Sequence, residues 1–339
     1  MTRRLLIACS YKVFHGRITR KEYLCETCHT YFSETYGTFA YRRKKPDLLE
    51  GVLDHQVRGI GVRDSAELAC VSKDTVEQVI LDVGFRIEQW FRSLEIQIPK
   101  GNIEYDEMWT FVAKKHSGLE NEGEMWLWIA FHRENRMLVH FVIGKHTGEN
   151  GFDLVEGAKK LIESASQHHS DELPCYAEIF REVYGTLVVP QRTGKVGRPR
   201  KPYLKADQDL KYGQVHKTRV KGKIKKVSKI SVYGQLKEKE ISTSKVERHN
   251  LNVRQDHSRS IRKTLKFSKD LDYLVASFWI YFYYYNFMRP HLSLRQEDKD
   301  YRLGKTKRKW IKRTPAMAAG LYEKALDWQT VLNDPLRGG

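Results

Sequence analysis

Two periodicities alternate along the chain. Between residues 47 and 95 apolar side chains recur three and four positions apart. Leu48, Leu49, Val52 and Leu53 make one stripe and Val76, Val79 and Ile80 another, a spacing that predicts helices. From Gly101 the period drops to two. Residues 103–112, 125–131 and 137–143 are rich in Trp, Phe, Val and Ile and predict three strands. The second and third are joined by a turn at Arg133-Glu134-Asn135-Arg136. Helical spacing returns over residues 151–165 through Phe152, Val155, Ala158, Leu161 and Ile162. Residues 174–183 predict a further helix with Pro174 near its first turn. Residues 187–189 predict a short strand, and residues 212–220 and 223–233 alternate around Lys221-Gly222 as a long hairpin. Thr243 and Ser244 are suited to cap a helix carrying Glu247. Leu271, Leu274, Val275, Phe278 and Phe282 predict a buried helix that runs into the aromatic block Tyr283–Phe287, a core element rather than a base-stacking platform.

Inside the first helical region, residues 61–80 carry helix-turn-helix spacing. Ala66 and Leu68 belong to a first helix, Ala69-Cys70-Val71 to a tight turn, and Ser72 caps a second helix. Lys73, Thr75 and Gln78 then face a DNA major groove. A plain helical hairpin is the alternative.

Ahead of this region, residues 1–45 look like a separate small module. Cys25-Glu26-Thr27-Cys28 is a C-x-x-C turn between Tyr23 and Phe32, and Cys9 is the one cysteine upstream. Structural zinc takes four ligands in a tetrahedron, so Cys9, Cys25 and Cys28 are candidate Zn²⁺ ligands with His15 and His29 as substitutes. A ribbon without metal is the alternative. Five cysteines do not suggest a disulfide framework, and Leu5 to Cys9 is too short an apolar run for a secretory signal. No apolar run approaches the length of a membrane helix. A cytoplasmic protein is expected.

Lys and Arg outnumber Asp and Glu by 60 to 42, a formal net charge of +18. The excess peaks over residues 192–239 and 302–313, and nucleic acid is the first candidate partner. Residues 191–209 read as an inserted basic stretch. There Arg198 and Arg200, in Gly197-Arg198-Pro199-Arg200-Lys201-Pro202, suit a narrow minor groove or a solvated loop.

Charge alone does not distinguish a regulator from an enzyme, but three acids bear on that choice. Asp106 lies within an otherwise apolar strand. Asp171 follows the polar run Gln167-His168-His169-Ser170. Glu247 sits on a helix beside Arg248, His249 and Asn250, with Asn250 and Arg254 on its own face. Two divalent ions roughly 4 Å apart can activate a water and relieve charge on a leaving oxygen in phosphodiester cleavage, and carboxylates from separate elements can hold them. Glu104, Glu107 and Glu172 compete as ligands. Three strands, a helix, then a parallel strand, with an acid on the first strand, predict an α/β fold with a ribonuclease-H-like catalytic domain.

Tyr105-Asp106-Glu107-Met108-Trp109, Asp171-Glu172-Leu173-Pro174-Cys175-Tyr176 and the segment from Lys245-Val246-Glu247-Arg248-His249-Asn250-Leu251-Asn252 to Gln255 resemble the three acid segments of insertion-sequence-one (IS-one) transposases. Tyr285-Asn286-Phe287-Met288-Arg289-Pro290-His291 is similar to the tail of many insertion-sequence transposases. The resemblance implies a DDE transposase. Asp106, Asp171 and Glu247 would bind Mg²⁺ (or Mn²⁺) and cut and join element ends. Arg248, His249, Asn250 and Arg254 would contact DNA, and a homo-oligomer would assemble in the synapse. It also implies a zinc-ribbon-like module over residues 1–45, a helix-turn-helix domain over 46–98 and a catalytic domain over 99–295. The last would carry a basic insertion at about 190–240, with a basic tail over 296–339. A non-catalytic DNA-binding regulator is the competing expectation.

Overall fold

The computed structural model describes residues 5–12, 19–25, 29–33, 48–190, 201–307 and 309–333. It is a mixed α/β protein with ten α-helices and a six-stranded mixed sheet among these residues. A three-stranded antiparallel sheet opens the chain, formed by β1 (Leu5–Lys12), β2 (Thr19–Cys25) and β3 (Tyr31–Ser33). Cys28 lies outside the described residues, as do the side chains of Cys9 and Cys25, so the zinc expectation falls there.

Three helices follow, α1 (Leu48–Gln56), α2 (Val62–Leu68) and α3 (Lys73–Ser93). The turn after α2 puts Cys70 at φ 51°, and the Ser72 hydroxyl accepts the Thr75 amide at 3.1 Å as the cap of α3. Val76, Val79, Ile80, Val83 and Ile87 line the buried face of α3. That face crosses α7 (Leu271–Tyr283) so closely that a Cβ on Gly84 would stand 2.3 Å from the Ala276 carbonyl oxygen. Trp90 and Phe91 then meet Tyr283 and Phe282 edge to face, at 5.2 and 4.8 Å. One buried cluster accordingly runs from Leu49 to Leu332, and α1, α2 and α3 share it with the main sheet.

That sheet has the order β11-β10-β7-β4-β5-β6. Strands β4 (Gly101–Val112), β5 (Gly123–His132) and β6 (Leu138–Gly144) form an antiparallel meander. Then α4 (Gly148–Leu161) crosses over to β7 (Ala165–Asp171), which runs parallel to β4. Beyond α5 (Cys175–Val183) and the short hairpin of β8 (Gly185–Val188) and β9 (Tyr203–Ala206), β10 (Tyr212–Val220) lies parallel to β7. The last strand, β11 (Lys223–Tyr233), returns along the edge. Part of the stretch expected to be an irregular insertion is therefore ordered as β9; Arg198 and Arg200 fall outside the described residues.

Strand β7 shows how a polar run can be central. His168, His169 and Ser170 are all buried. The Tyr105 hydroxyl lies 3.1 Å from His168 Nδ1 and the Tyr212 hydroxyl 2.7 Å from Ser170 Oγ, so β4 and β10 supply polar partners from either side. Burial pushes both imidazoles down to about 3 and keeps them neutral.

Helices α4 and α5 cover one face of the sheet; α6 (Ser244–Asp256) and α7 cover the other. The chain then makes a single π-turn at Tyr284–Met288. Within it Asn286 is fully buried, its amide accepting the Leu138 N–H at 3.0 Å and donating to the Leu138 carbonyl at 2.8 Å. The aromatic block is core, as its pattern predicts. The C-terminal region is less of a tail than its charge suggests. Trp328, Val331 and Leu332 are buried, Trp328 stacks on Tyr283 at 5.7 Å, and Arg86 donates to the Val331 carbonyl at 2.6 Å. No helix among the described residues is long and apolar enough to cross a membrane.

Candidate active site

Strand pairing decides which acids share a face. Glu104 stands opposite His169, so Glu104 and Asp106 on β4 project to the same side as His169 and Asp171 on β7. Val215 stands opposite Asp171, which places Lys217, two residues on, on that side as well. Helix α6 covers it and brings Glu247 and Asn250.

Glu104 fixes α6. Its buried carboxylate accepts the amides of Lys245 and Val246, each at 2.8 Å, and Arg133 Nε at 2.7 Å. Arg133 in turn donates to the carbonyls of Glu240 and Ser242. Two first-turn amides of α6 are thus satisfied from β4 and that of Ser244 by the Ser242 hydroxyl, while Thr243 makes no side-chain cap. Fully engaged, Glu104 drops out as a metal ligand.

Asp106 accepts Asn250 Nδ2 at 2.8 Å. Burial first, then Asp171 and Glu247, raise its pKa to about 7; the Glu107 amide and Lys217 act the other way. Glu107 takes the Tyr176 hydroxyl from α5, and burial with Asp171 pushes it well above the usual carboxylate range. Asp171 accepts the Leu173 amide at 3.1 Å and is itself raised, mainly by burial. One carboxylate oxygen from each of Asp106, Glu107 and Asp171 lies within 4.8 Å of the others, a separation a single divalent cation can bridge. Their crowding fits such a cation, because partly desolvated like charges gain from a shared counter-charge.

Glu247 stands beside this cluster rather than in it. Lys217 Nζ holds its carboxylate at 2.5 Å, Thr243 Oγ1 donates to the same oxygen, and the side chain is 42 % exposed. Glu107 therefore takes the place expected for Glu247 in the closest group of three. Glu172 turns to His216, 3.3 Å away. Lys217 was not foreseen. Nothing distinguishes it among the lysines of the hairpin until pairing with β7 places it over the acids.

The expected DNA contacts divide. Lys73, Thr75 and Gln78 are exposed on the first turns of α3, though each is engaged locally, by Glu77, Ser72 and Asp82 respectively. Arg248 is exposed and Arg254 half-buried. His249 and Asn250 are corrected. Asn250 is buried and spent on Asp106. His249 is buried between Phe131, 4.8 Å away and stacked, and Tyr285; burial pushes its pKa down to about 3, and neither ring nitrogen has a partner. It faces the core because the sheet side of α6 includes that position. His249→Phe is expected to keep the fold, raise stability by about 1–2 kcal/mol by removing two buried unsatisfied nitrogens, and leave DNA affinity unchanged. Urea unfolding and filter binding check this, and weaker DNA binding by a stable variant would restore His249 as a contact.

The raised carboxyl also sets a pH dependence. Between 3.8, the ordinary value, and about 7 the folded protein holds a proton on Asp106 that the unfolded chain releases, so metal-free stability falls as pH rises through that window. A cation must displace the same proton. Affinity for Mn²⁺ is expected to rise roughly tenfold between pH 6 and pH 8, as read by calorimetric titration; a flat profile would remove Asp106 from the ligand set.

Comparison with protein-family models and with curated proteins finds no match to this chain.

Proposed function

We propose that the protein is a metal-dependent DNA strand transferase of the DDE transposase kind, with a ribonuclease-H-like catalytic unit. The observation that carries this reading is the meeting of Asp106 and Glu107, midway along β4, with Asp171 at the end of the parallel strand β7, and Glu247 beside them on a packed helix. The strand order, a meander followed by two parallel strands on its inner side, supports the fold assignment. The +18 charge and the exposed first turns of α3 support DNA as the partner. Insertion-element ends as the substrate, and assembly as a homo-oligomer, rest on the sequence resemblance.

In this reading Asp106, Asp171 and Glu107 hold Mg²⁺ or Mn²⁺, which would polarise the scissile phosphate and lower the pKa of the attacking water or 3′-hydroxyl. Asn250 orients Asp106, and Tyr176 orients Glu107. Lys217 holds Glu247 within reach and offsets part of the negative charge of the site. The test is a fragment carrying the DNA that flanks the gene on both sides, incubated with purified protein and Mg²⁺. Nicks at the ends of inverted repeats, and joined products, are expected. Tight binding to the repeats without any metal-dependent nick would establish the non-catalytic regulator instead.

A further inference from the structure

Strand β7 accompanies β4 only as far as Glu104. Past Glu104, β7 no longer pairs with β4, while β6 still flanks β5 as far as Trp126, which pairs with Gly144; only beyond Trp109 and Trp126 do β4 and β5 run on as a two-stranded ribbon to Val112 and Gly123. Trp109 and Trp126 are direct cross-strand partners at the base of this ribbon, so their indoles share one face, and both are only half-buried. They line, with Phe111, a cavity of about 520 Å³ that Lys115, Arg254, Arg262 and Lys263 also line, with Glu124 as its one carboxylate among the described residues.

The aromatic wall is fixed in place. Trp109 Nε1 donates to Glu124 Oε1 at 2.6 Å. Phe111 lies 5.6 Å from Trp109 and 4.7 Å from Phe267, with ring planes inclined by 34° and 33°. The cationic wall is undercompensated: among the described residues no carboxylate pairs with Arg262 or Lys263, and both are exposed. Arg254 is half-buried in this wall; burial and then Arg262 lower its pKa, and Asp106 acts the other way. A flat, preorganised apolar surface facing clustered cations suits a ligand that is planar on one side and polyanionic on the other. Trp109 is two residues from Glu107 and on the same face of β4, about 7 Å along the strand, so a chain passing Glu107 reaches the cavity without looping.

We propose that this cleft receives an unstacked nucleotide of a DNA strand whose phosphodiester lies at the acids, with the base against Trp109 and Trp126 and the phosphates on Arg254, Arg262 and Lys263. The proposal rests on the DNA-processing reading above. It makes the protein prefer unpaired or frayed DNA next to the cutting point, because a paired base has no free face to offer.

Equilibrium binding of the full-length chain, without divalent metal, to a single-stranded oligonucleotide and to the matching duplex tests it. Trp109→Ala and Trp126→Ala are each expected to weaken single-strand binding about tenfold and duplex binding less than twofold. Trp109→Phe, which keeps a ring, should retain most of the affinity. Should the alanine variants misfold by circular dichroism, Arg262→Ala/Lys263→Ala, confined to exposed positions, carries the test. Single-strand affinity should fall, with a salt dependence shallower by about one to two phosphate contacts. Wild-type protein that does not bind single strands, or a folded Trp109→Ala variant with unchanged single-strand affinity, overturns the proposal. Nicking by the wild type is scored separately. Nicking with an indifferent Trp109→Ala sinks the cleft and spares the transferase reading; selective loss of single-strand binding without any nicking does the reverse.

Discussion

Asp106→Asn is expected to abolish strand cleavage and, without metal, to make the protein more stable than the wild type. Both effects follow from the same crowding. At pH 8 Asp106 is ionised in a partly desolvated site beside Asp171 and Glu247, which is why its pKa stands near 7 rather than 3.8. Holding that charge in the folded state costs up to a few kcal/mol. The neutral amide removes the cost and can still accept from Asn250, whose nitrogen lies 2.8 Å from the present carboxylate. The site then lacks a ligand, and cleavage should drop by roughly 10³-fold or more. Added Mn²⁺ separates the two proteins. At one hundred times its dissociation constant a ligand stabilises by about 2.7 kcal/mol, so the wild-type melting temperature should climb while that of the variant stays nearly still. Thermal melts with and without Mn²⁺ should therefore show the rank order narrowing or reversing. A variant that cleaves normally, or that gains as much from Mn²⁺ as the wild type, would remove Asp106 from the site.

Local pattern carried far in this chain, and it failed where tertiary partners decide. The meander, the hairpin at Lys221-Gly222 and the Ser72 cap follow from alternation and capping rules that act within a few residues. Asn250 was placed on the Glu247 face by helical spacing, and the structure puts it against Asp106. The polar run before Asp171 gives no sign of burial in a central strand, because the hydroxyls of Tyr105 and Tyr212 that serve His168 and Ser170 come from distant segments. His249 looked like a contact for phosphate because a histidine between Arg248 and Asn250 reads as polar; only the position of Phe131 and Tyr285 reveals a core residue. The C-terminal region looked like a basic tail because its charges outnumber Trp328, Val331 and Leu332, the side chains that dock it. Lys217 and the choice between Glu107 and Glu247 depend on strand register and side-chain reach, which no spacing in the sequence encodes.

The cap of α6 is the clearest such case, and its removal should be the most damaging single change to the fold. At the start of the helix that presents Glu247 and Asn250, Thr243 makes no side-chain cap, and the Ser242 hydroxyl accepts only the first amide, that of Ser244, at 3.2 Å. Glu104, buried on the central strand, accepts the next two amides, of Lys245 and Val246, and the Arg133 guanidinium together. Glu104→Ala leaves Arg133, 18 % exposed, without its carboxylate and two helix amides without an acceptor. Breaking a buried charged pair of this kind costs about 3–5 kcal/mol, a large fraction of the ~5–15 kcal/mol that holds a domain folded. Glu104→Gln should cost less, since its carbonyl can still accept one amide while its NH₂ repels the guanidinium. Urea titration gives the ranking. Hydrogen exchange gives the location: the amides of Lys245 and Val246 should lose protection in both variants, while strand β5, paired along the other edge of β4, should keep most of its protection in Glu104→Gln. Because α6 also positions Glu247 and Asn250, Mn²⁺ binding should weaken in Glu104→Gln even where the protein remains folded. Unchanged exchange at Lys245 and Val246 would show that another group caps the helix, and would separate the stability of the sheet from the placement of the acids it carries.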